Sequence, residues 1–423
     1  MIIRKVLLSS LLILTNLQLS QAITLKQLIE TLKEKNPSLK SSQIEINISE
    51  VEKSKANRKR LGKIMLFSRF NRFEDDRILY PISPPINPRS IVGARNQWYL
   101  GAKYSLPIFT GFKLERNVEI KELNEKLINI RYKLTKNQLI YNLTVLYLKT
   151  LSLYKLKKSL LAYQKSLTTL YHNINEMVKL GKKPEVDLLK VKYELESVKA
   201  KIEKINNSID SLKASIKTIV GDDNLDLSNM EDLKPSNFSY SDIDINDLDR
   251  IKAEDLKEKI GKLKIDIAKS EYYPQVLFNA SFQKNMGNDE YKDLWQVGFS
   301  INFNLFDFGV REREYLKAVL KRKVVLEEKR KTILDIKSKI KEALNNIKSA
   351  EAEVRASEKK LKYAKEVEEI EKTKYMAGVS SLYDYLKAKA YRYRAESDYY
   401  TAIYDREIQI TYLKYLLEEF KDE

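Results

Sequence analysis

The stretch Trp295, Gln296, Val297, Gly298, Phe299, Ser300, Ile301, Asn302, Phe303, Asn304, Leu305, Phe306 alternates apolar and polar residues up to its last position. A period of two puts the tryptophan, valine, phenylalanines and isoleucine on one face of an extended strand, with glutamine, glycine, serine and asparagine on the other. A second stretch reads the same way: Trp98, Leu100, Ala102, Tyr104, Leu106 and Ile108 oppose Tyr99, Gly101, Lys103 and Ser105. These two stretches hold the only tryptophans of the chain, 197 positions apart.

That offset recurs without a gap over about ninety residues. Gly101 matches Gly298, Ile108 and Phe109 match Leu305 and Phe306, Gly181 matches Gly378, and Asp187 matches Asp384. Upstream the match resumes at an offset of 212, pairing Ala56 with Ala268 and 64–70 with 276–282. The extra 15 residues fall in 71–96, which holds Pro81, Pro84, Pro85 and Pro88 and reads as an irregular surface loop.

Each repeat therefore has two strands. The partner of the quoted strand is Val276, Phe278, Ala280 and Phe282, alternating with Gln275, Leu277, Asn279 and Ser281. In the first repeat it is Ile64, Leu66, Ser68 and Phe70, the weakest of the four. A lone alternating strand fits a half-buried soluble sheet equally well. Segments of about ten residues ending in an aromatic, with a polar face suited to a watery lumen, also match membrane-barrel strands. On that reading Trp98, Leu100, Tyr104, Trp295, Val297, Phe299 and Ile301 face lipid. Four strands are too few to close a barrel, which needs about eight, so membrane strands here require an oligomer.

The rest is helical. From 310 to 374 there is no proline or glycine, and Ile333, Ile336, Ile340, Ala343, Ile347, Ala350, Val354, Ser357, Leu361 and Ala364 recur at alternating steps of three and four, a coiled-coil seam. Repeat one answers with Leu139, Leu143, Leu146, Thr150, Leu153, Leu160 and Leu167, broken at Lys157 and Gln164. A helix over 113–180 would extend roughly 100 Å at about 1.5 Å per residue. Return helices are expected over 184–220, 250–270 and 381–420, with N-terminal helices over 25–60.

Arg4 and Lys5, the apolar run 6–14 and the small-residue site at Ser20, Gln21 and Ala22 form a secretory signal, so the mature chain is expected to begin at Ile23. The domain plan is a signal at 1–22, a first repeat at 23–220 (strand hairpin 63–109, helical hairpin 113–220), a linker at 221–249 and a second repeat at 250–423 (strand hairpin 274–306, helical hairpin 309–420). With no cysteine and a single histidine, His172, thiolate and histidine metal sites are excluded, and neither metal nor cofactor is expected. The formal charge of +18 raises nucleic acid as a partner. The cations are, however, interleaved with acids, as in Lys341, Lys348 and Arg355 among Glu342, Glu351 and Glu353, which describes a solvated helix face and no nucleic-acid site. No phosphate loop or nucleophile set appears, so an enzyme is not expected.

The order strand, loop, strand, PIFTGFK (107–113), long helix, LGKKPEVD (180–187), helix, repeated with NLFDFGVR (304–311) and MAGVSSLYD (376–384), resembles the TolC family of outer-membrane factors over essentially the whole mature chain. The resemblance implies a mixed α+β membrane protein: a homotrimer whose four strands per chain make a 12-stranded β-barrel in outer-membrane lipid, continuous with a periplasmic α-helical barrel. It implies a bacterial outer-membrane location and a passive exit duct for a tripartite efflux or type I secretion system. A periplasmic adaptor protein of an inner-membrane pump would dock at the hairpin turns, Leu180, Gly181, Lys182 and Ala377, Gly378, Val379. Further tip residues carry over by position. Tyr375 and Asp187 stand where a closing link is made, Ser380 where the family has a second-link arginine, Asp384 at the first position of an acidic ring and Lys387 at the second. With lysine there, an anionic gate does not follow. An exported coiled-coil adhesin or periplasmic scaffold is the alternative, distinguishable by a trimeric barrel or single-channel conductance.

Overall fold

A computed structural model describes residues 22–233 and 244–421. The expected signal, apart from Ala22, and the linker segment 234–243 lie outside the described residues. The elements, in order, are α1 (Leu25–Lys35), α2 (Pro37–Lys59), β1 (Lys63–Ile78), β2 (Gly93–Phe109), α3 (Lys113–Lys179), α4 (Glu185–Val220), α5 (Asp249–Ser270), β3 (Gln275–Gly287), β4 (Glu290–Asn302), α6 (Val310–Met376) and α7 (Leu382–Leu416). The chain divides into two compact units, 42–131 with 249–333 and 1–41 with 132–248 and 334–423, and each draws on both repeats.

The first of these units holds one antiparallel sheet in the order β1-β2-β3-β4. Its register pairs Phe70 with Trp98, Leu66 with Ala102, Ala102 with Phe282, and Phe282 with Trp295. Directly paired residues share a face, so the apolar sets of all four strands fall on the same side. The strands differ from the sequence reading in length. β1 runs on to Ile78 and β2 begins at Gly93, so the loop is 79–92 and not 71–96. Residues 71–78 hold no proline, so the strand runs on, with an irregularity between Arg72 and Arg77; the prolines start at Pro81. β4 ends at Asn302, leaving Phe303 and Leu305 outside it. In β2 the register shifts between Pro107 and Phe109, so Ile108 is the bulge residue and Phe109 takes the row of Val276.

Strand-to-helix junctions occur at matched positions. Gly111 and Phe112 have φ of 61° and 68°, and Phe308 and Gly309 have φ of 54° and 84°. Both repeats thus need two consecutive left-handed residues, and each supplies one glycine, in opposite order. Beside them Lys113 pairs with Glu271 at 2.7 Å and Arg311 with Asp307 at 2.9 Å. The helical part of this unit packs Ile120 and Leu127 of α3 against Ala253 and Ile260 of α5.

In the other unit, α1 starts with a capping box between Thr24 and Gln27. Asn36 separates α1 from α2: its Nδ2 donates to the Ile219 carbonyl at 2.6 Å and its Oδ1 accepts from Leu39 N at 2.9 Å. Leu28, Leu32, Ile140, Leu143, Tyr147, Ile216 and Val220 form a core here, and Ile23 bridges to Met230 of the linker. The Tyr147 hydroxyl ties these segments, meeting the carbonyls of Glu231 at 2.7 Å and Ile23 at 3.1 Å. Burial, with the charges of Glu231 and Asp232, pushes its pKa up to about 12.

On α6 every buried residue lies on the seam, with Ile336, Ile340, Ala343, Ile347, Ser357 and Leu361 buried and Ile333, Ala350, Val354 and Ala364 half-buried. On α3 this does not hold. Leu139, Leu146, Leu153 and Leu160 are only half-buried, while Ile140, Tyr147, Leu151, Ser159 and Tyr163 are buried beside Leu143, Thr150 and Leu167. α3 is covered over a broad arc because it meets α1, α4 and the end of α7 in one core, and a two-position seam describes contact with one partner only. At the chain turns Pro184 is the N-cap of α4 and lies outside it, and α7 ends at Leu416.

Candidate functional site

Two surfaces stand out. The first is the sheet, whose faces are chemically opposite. Trp98, Leu100, Trp295, Val297, Phe299 and Ile301 are all exposed, Trp295 by 79% and Phe299 by 71%, values far from those of a folded core. Tyr104 lies on the same face, half-buried, its hydroxyl donating to the Leu61 carbonyl at 2.9 Å. The opposite face is hydrogen-bonded within itself: Asn279 Nδ2 to Ser300 Oγ at 3.1 Å and Gln283 Nε2 to Asn285 Oδ1 at 2.9 Å. The loop after β1 folds onto this polar face, where the Leu79 carbonyl accepts from Asn285 Nδ2 at 2.8 Å.

The second surface is the pair of hairpin turns. α3 ends in a Schellman motif, with Lys182 N donating to the Met177 carbonyl at 2.8 Å and Gly181 N to that of Val178 at 2.9 Å. α6 ends identically, Val379 N reaching Lys374 O at 2.9 Å and Gly378 N reaching Tyr375 O at 3.1 Å. The glycines have φ of 67° and 77°, and no atom lies within 4 Å of a Cβ added to either. Glycine is therefore required by conformation, with open space around it. Leu180, Lys182, Ala377 and Val379 are exposed beside them.

One core brings the two turns together: Leu167, Ile174, Val191 and Val198 of the first hairpin pack with Leu382, Tyr385, Leu386 and Tyr393 of the second. Tyr375 joins it, stacked on Tyr385 at 5.5 Å with the Lys183 ammonium 4.9 Å above its ring. Burial raises the Tyr375 pKa, and the negative charge of Asp187 raises it further. The Asp187 carboxylate itself lies 3.7 Å from Lys190. Ser380 donates to Glu371 at 2.7 Å, and that hydrogen bond, helped by Lys374, lowers the Glu371 pKa. Asp384 accepts from Ser381 Oγ at 2.6 Å, and its N–H donates back to that oxygen at 3.2 Å, which makes Ser381 the N-cap of α7. Lys387 is exposed one turn further, 5.9 Å from the Tyr391 ring. The sequence-derived residues are thus assembled at the turns.

A buried polar network beneath them was not read from the sequence. Lys389 is 6% exposed, with Nζ donating to the Tyr385 hydroxyl at 2.9 Å and lying 3.9 Å from Glu368. Arg392 lies 3.7 Å from Glu368 and 3.5 Å from Glu396, and Glu396 accepts from Ser159 of α3 at 2.8 Å. Tyr163 stacks on Tyr393 at 4.6 Å and donates to Glu194. Burial raises the Glu368 pKa against the pull of Lys389 and Arg392, and lowers that of Lys389 against the pull of Glu368. The signal was available: Leu382, Leu386, Lys389, Tyr393 and Glu396 step by three and four, so a lysine and a glutamate occupy seam positions.

A two-faced sheet on a chain otherwise made of two long helical hairpins defines the sheet-and-hairpin class of fold found in outer-membrane channels. Residues 251–417, within the second repeat, match the outer membrane efflux protein family. Over the whole chain the fold is that of CmeC, an outer membrane channel of Campylobacter jejuni, with a TM-score of 0.80, 17% identity, and coverage of 93% of this chain and 85% of that one. VceC, an outer membrane protein of Vibrio cholerae, gives 0.77 at 15% identity, covering 93% and 96%. MtrE, an outer membrane channel of Neisseria gonorrhoeae, gives 0.75 at 14% identity, covering 93% and 88%. No curated protein matches the chain by sequence. The chain has the fold of these outer-membrane channels, and part of its second repeat matches the outer membrane efflux protein family.

Proposed function

We propose that this protein is a passive exit duct in a bacterial outer membrane, reaching into the periplasm, and that three copies close one 12-stranded barrel. The observation that carries the reading is the sheet itself: four antiparallel strands with an exposed apolar face, a self-bonded polar face, and edges at β1 and β4. Open sheet edges cannot stand in hydrocarbon, where every backbone group must be paired, so the edges of neighbouring copies join. The apolar band has a suitable height. Trp98, in contact with Phe70 at 4.8 Å, and Phe109, in contact with Phe112 at 5.3 Å, mark two aromatic levels eleven residues apart on β2. At about 3.3 Å per residue and a tilt of about 40° this is roughly 28 Å, against about 25 Å for the apolar band of such barrels.

Among the described residues no helix is long and apolar enough to cross a membrane, and no group of side chains is arranged to hold a metal. The duct supplies no energy of its own. A periplasmic adaptor docks at the exposed turns around Gly181 and Gly378, and an inner-membrane pump of an efflux or type I secretion assembly drives transport. Purified protein inserted in planar bilayers is expected to give discrete single-channel conductance. Trimers that insert and never conduct would overturn the reading.

A further inference from the structure

The register that puts the apolar residues on one face also fixes the charge of the other. Across the segments 63–71, 97–105, 275–285 and 292–302, the polar face carries four cations, Lys63, Arg69, Lys103 and Lys292. It carries no acid. The one carboxylate in these segments, Asp293, pairs in register with Lys284 on the opposite face and lies 3.5 Å from its ammonium. Among the described residues no carboxylate comes within ion-pair distance of the four cations. Arg69 rests on the Tyr99 ring at 4.5 Å and Lys292 lies 5.7 Å from the Tyr80 ring, contacts that hold a cation in place without neutralising it. All four are exposed.

We propose that the barrel wall is an anion-selective filter, favouring anionic solutes over cations. This rests on the duct reading, which turns the polar face inward and repeats its four charges three times around one lumen. Rings of fixed cations raise the local concentration of anions and exclude like charge, because a lumen walled by low-dielectric protein focuses the field. The rest of the face over these segments is asparagine, glutamine, serine, tyrosine and a few small or apolar residues, so Glu290 at the strand end is the acid set in register against the four cations. At the turns, by contrast, Asp384 and Lys387 oppose each other in sign.

The test uses full-length trimers in planar bilayers under a KCl gradient, with the two opposed charges of the second turn removed by Asp384→Asn and Lys387→Gln. Chloride is expected to permeate several-fold faster than potassium near 0.1 M salt. The ratio should fall toward unity near 1 M, as the screening length shrinks from about 10 Å to about 3 Å. Adding Lys63→Gln, Arg69→Gln and Lys103→Gln should reduce the ratio about threefold or more. The single substitution Lys103→Glu should reduce it as well, and serves if the triple variant does not insert. A ratio unchanged by these substitutions, or a potassium preference before them, overturns the filter. Inserted trimers without any conductance overturn the duct instead, a distinguishable failure.

Discussion

Removing one carboxylate from the buried network beneath the turns should be far more damaging than removing the lysine it faces. At 3.9 Å and an effective dielectric near 20, the Glu368–Lys389 attraction is about 4 kcal/mol, most of it offset by desolvation of two buried groups. The two partners are not equally placed to lose it. In Lys389→Met the aliphatic stem is kept and Glu368 still has Arg392 at 3.7 Å, so the cost is about 1 kcal/mol. In Glu368→Gln, Lys389 keeps only the Tyr385 hydroxyl for its buried ammonium, whereas Arg392 retains Glu396; the cost is about 3 kcal/mol. Amide exchange in α7 around Tyr385 to Tyr393 measures local opening directly. It should quicken about a hundredfold in Glu368→Gln and about fivefold in Lys389→Met, with the double variant close to the latter. The pH dependence follows from burial raising the Glu368 pKa above its usual 4.5. The folded hairpins then bind that proton more tightly than the unfolded chain. This contribution is present below about pH 4.5 and is lost as pH rises through the raised value; glutamine should remove the slope. Equal effects of the two single substitutions, or a larger one from Lys389→Met, would refute the reasoning.

Three further outcomes are expected. Gly181→Val or Gly378→Val should cost about 1–2 kcal/mol of backbone strain at the turn and abolish export while trimers still reach the membrane; normal export would remove the docking assignment. Tyr147→Phe takes the hydroxyl from the Glu231 and Ile23 carbonyls, at about 1–2 kcal/mol, and should make the segment before 233 more sensitive to protease; unchanged cleavage rates count against the tie. Lys387→Asp should move ion preference toward cations in planar bilayers, and identical preference would show that the exposed turn charges do not act on permeating ions.

The strands, the duplication and the turn glycines were legible because each depends on local chemistry: a period of two, a constant offset, and a left-handed residue where a long helix reverses. What the sequence hid depends on partners. The arc of α3 covered by three elements needed the tertiary contacts of Tyr147 and Leu151, and the true length of β1 was masked by prolines that begin only at Pro81. Lys389 looked like one more surface lysine among many, since the ion-pair partner it faces, Glu368, lies on another helix. Ser380 stands where the resemblance puts a second-link arginine, and its hydroxyl is engaged within its own turn on Glu371. The face of the sheet that carries Lys63, Arg69 and Lys103 emerges only when four strands are set in register.

The central claim is that the β1 and β4 edges of neighbouring copies close a ring of three. Because the chain has no cysteine, Leu66→Cys on β1 and Val297→Cys on β4 can be joined by a flexible bismaleimide in outer-membrane fractions without competing thiols. The account predicts covalent dimers and trimers and nothing larger, with either single-cysteine variant left monomeric. A ladder running past three, or no cross-link from protein that is folded and inserted, would contradict it.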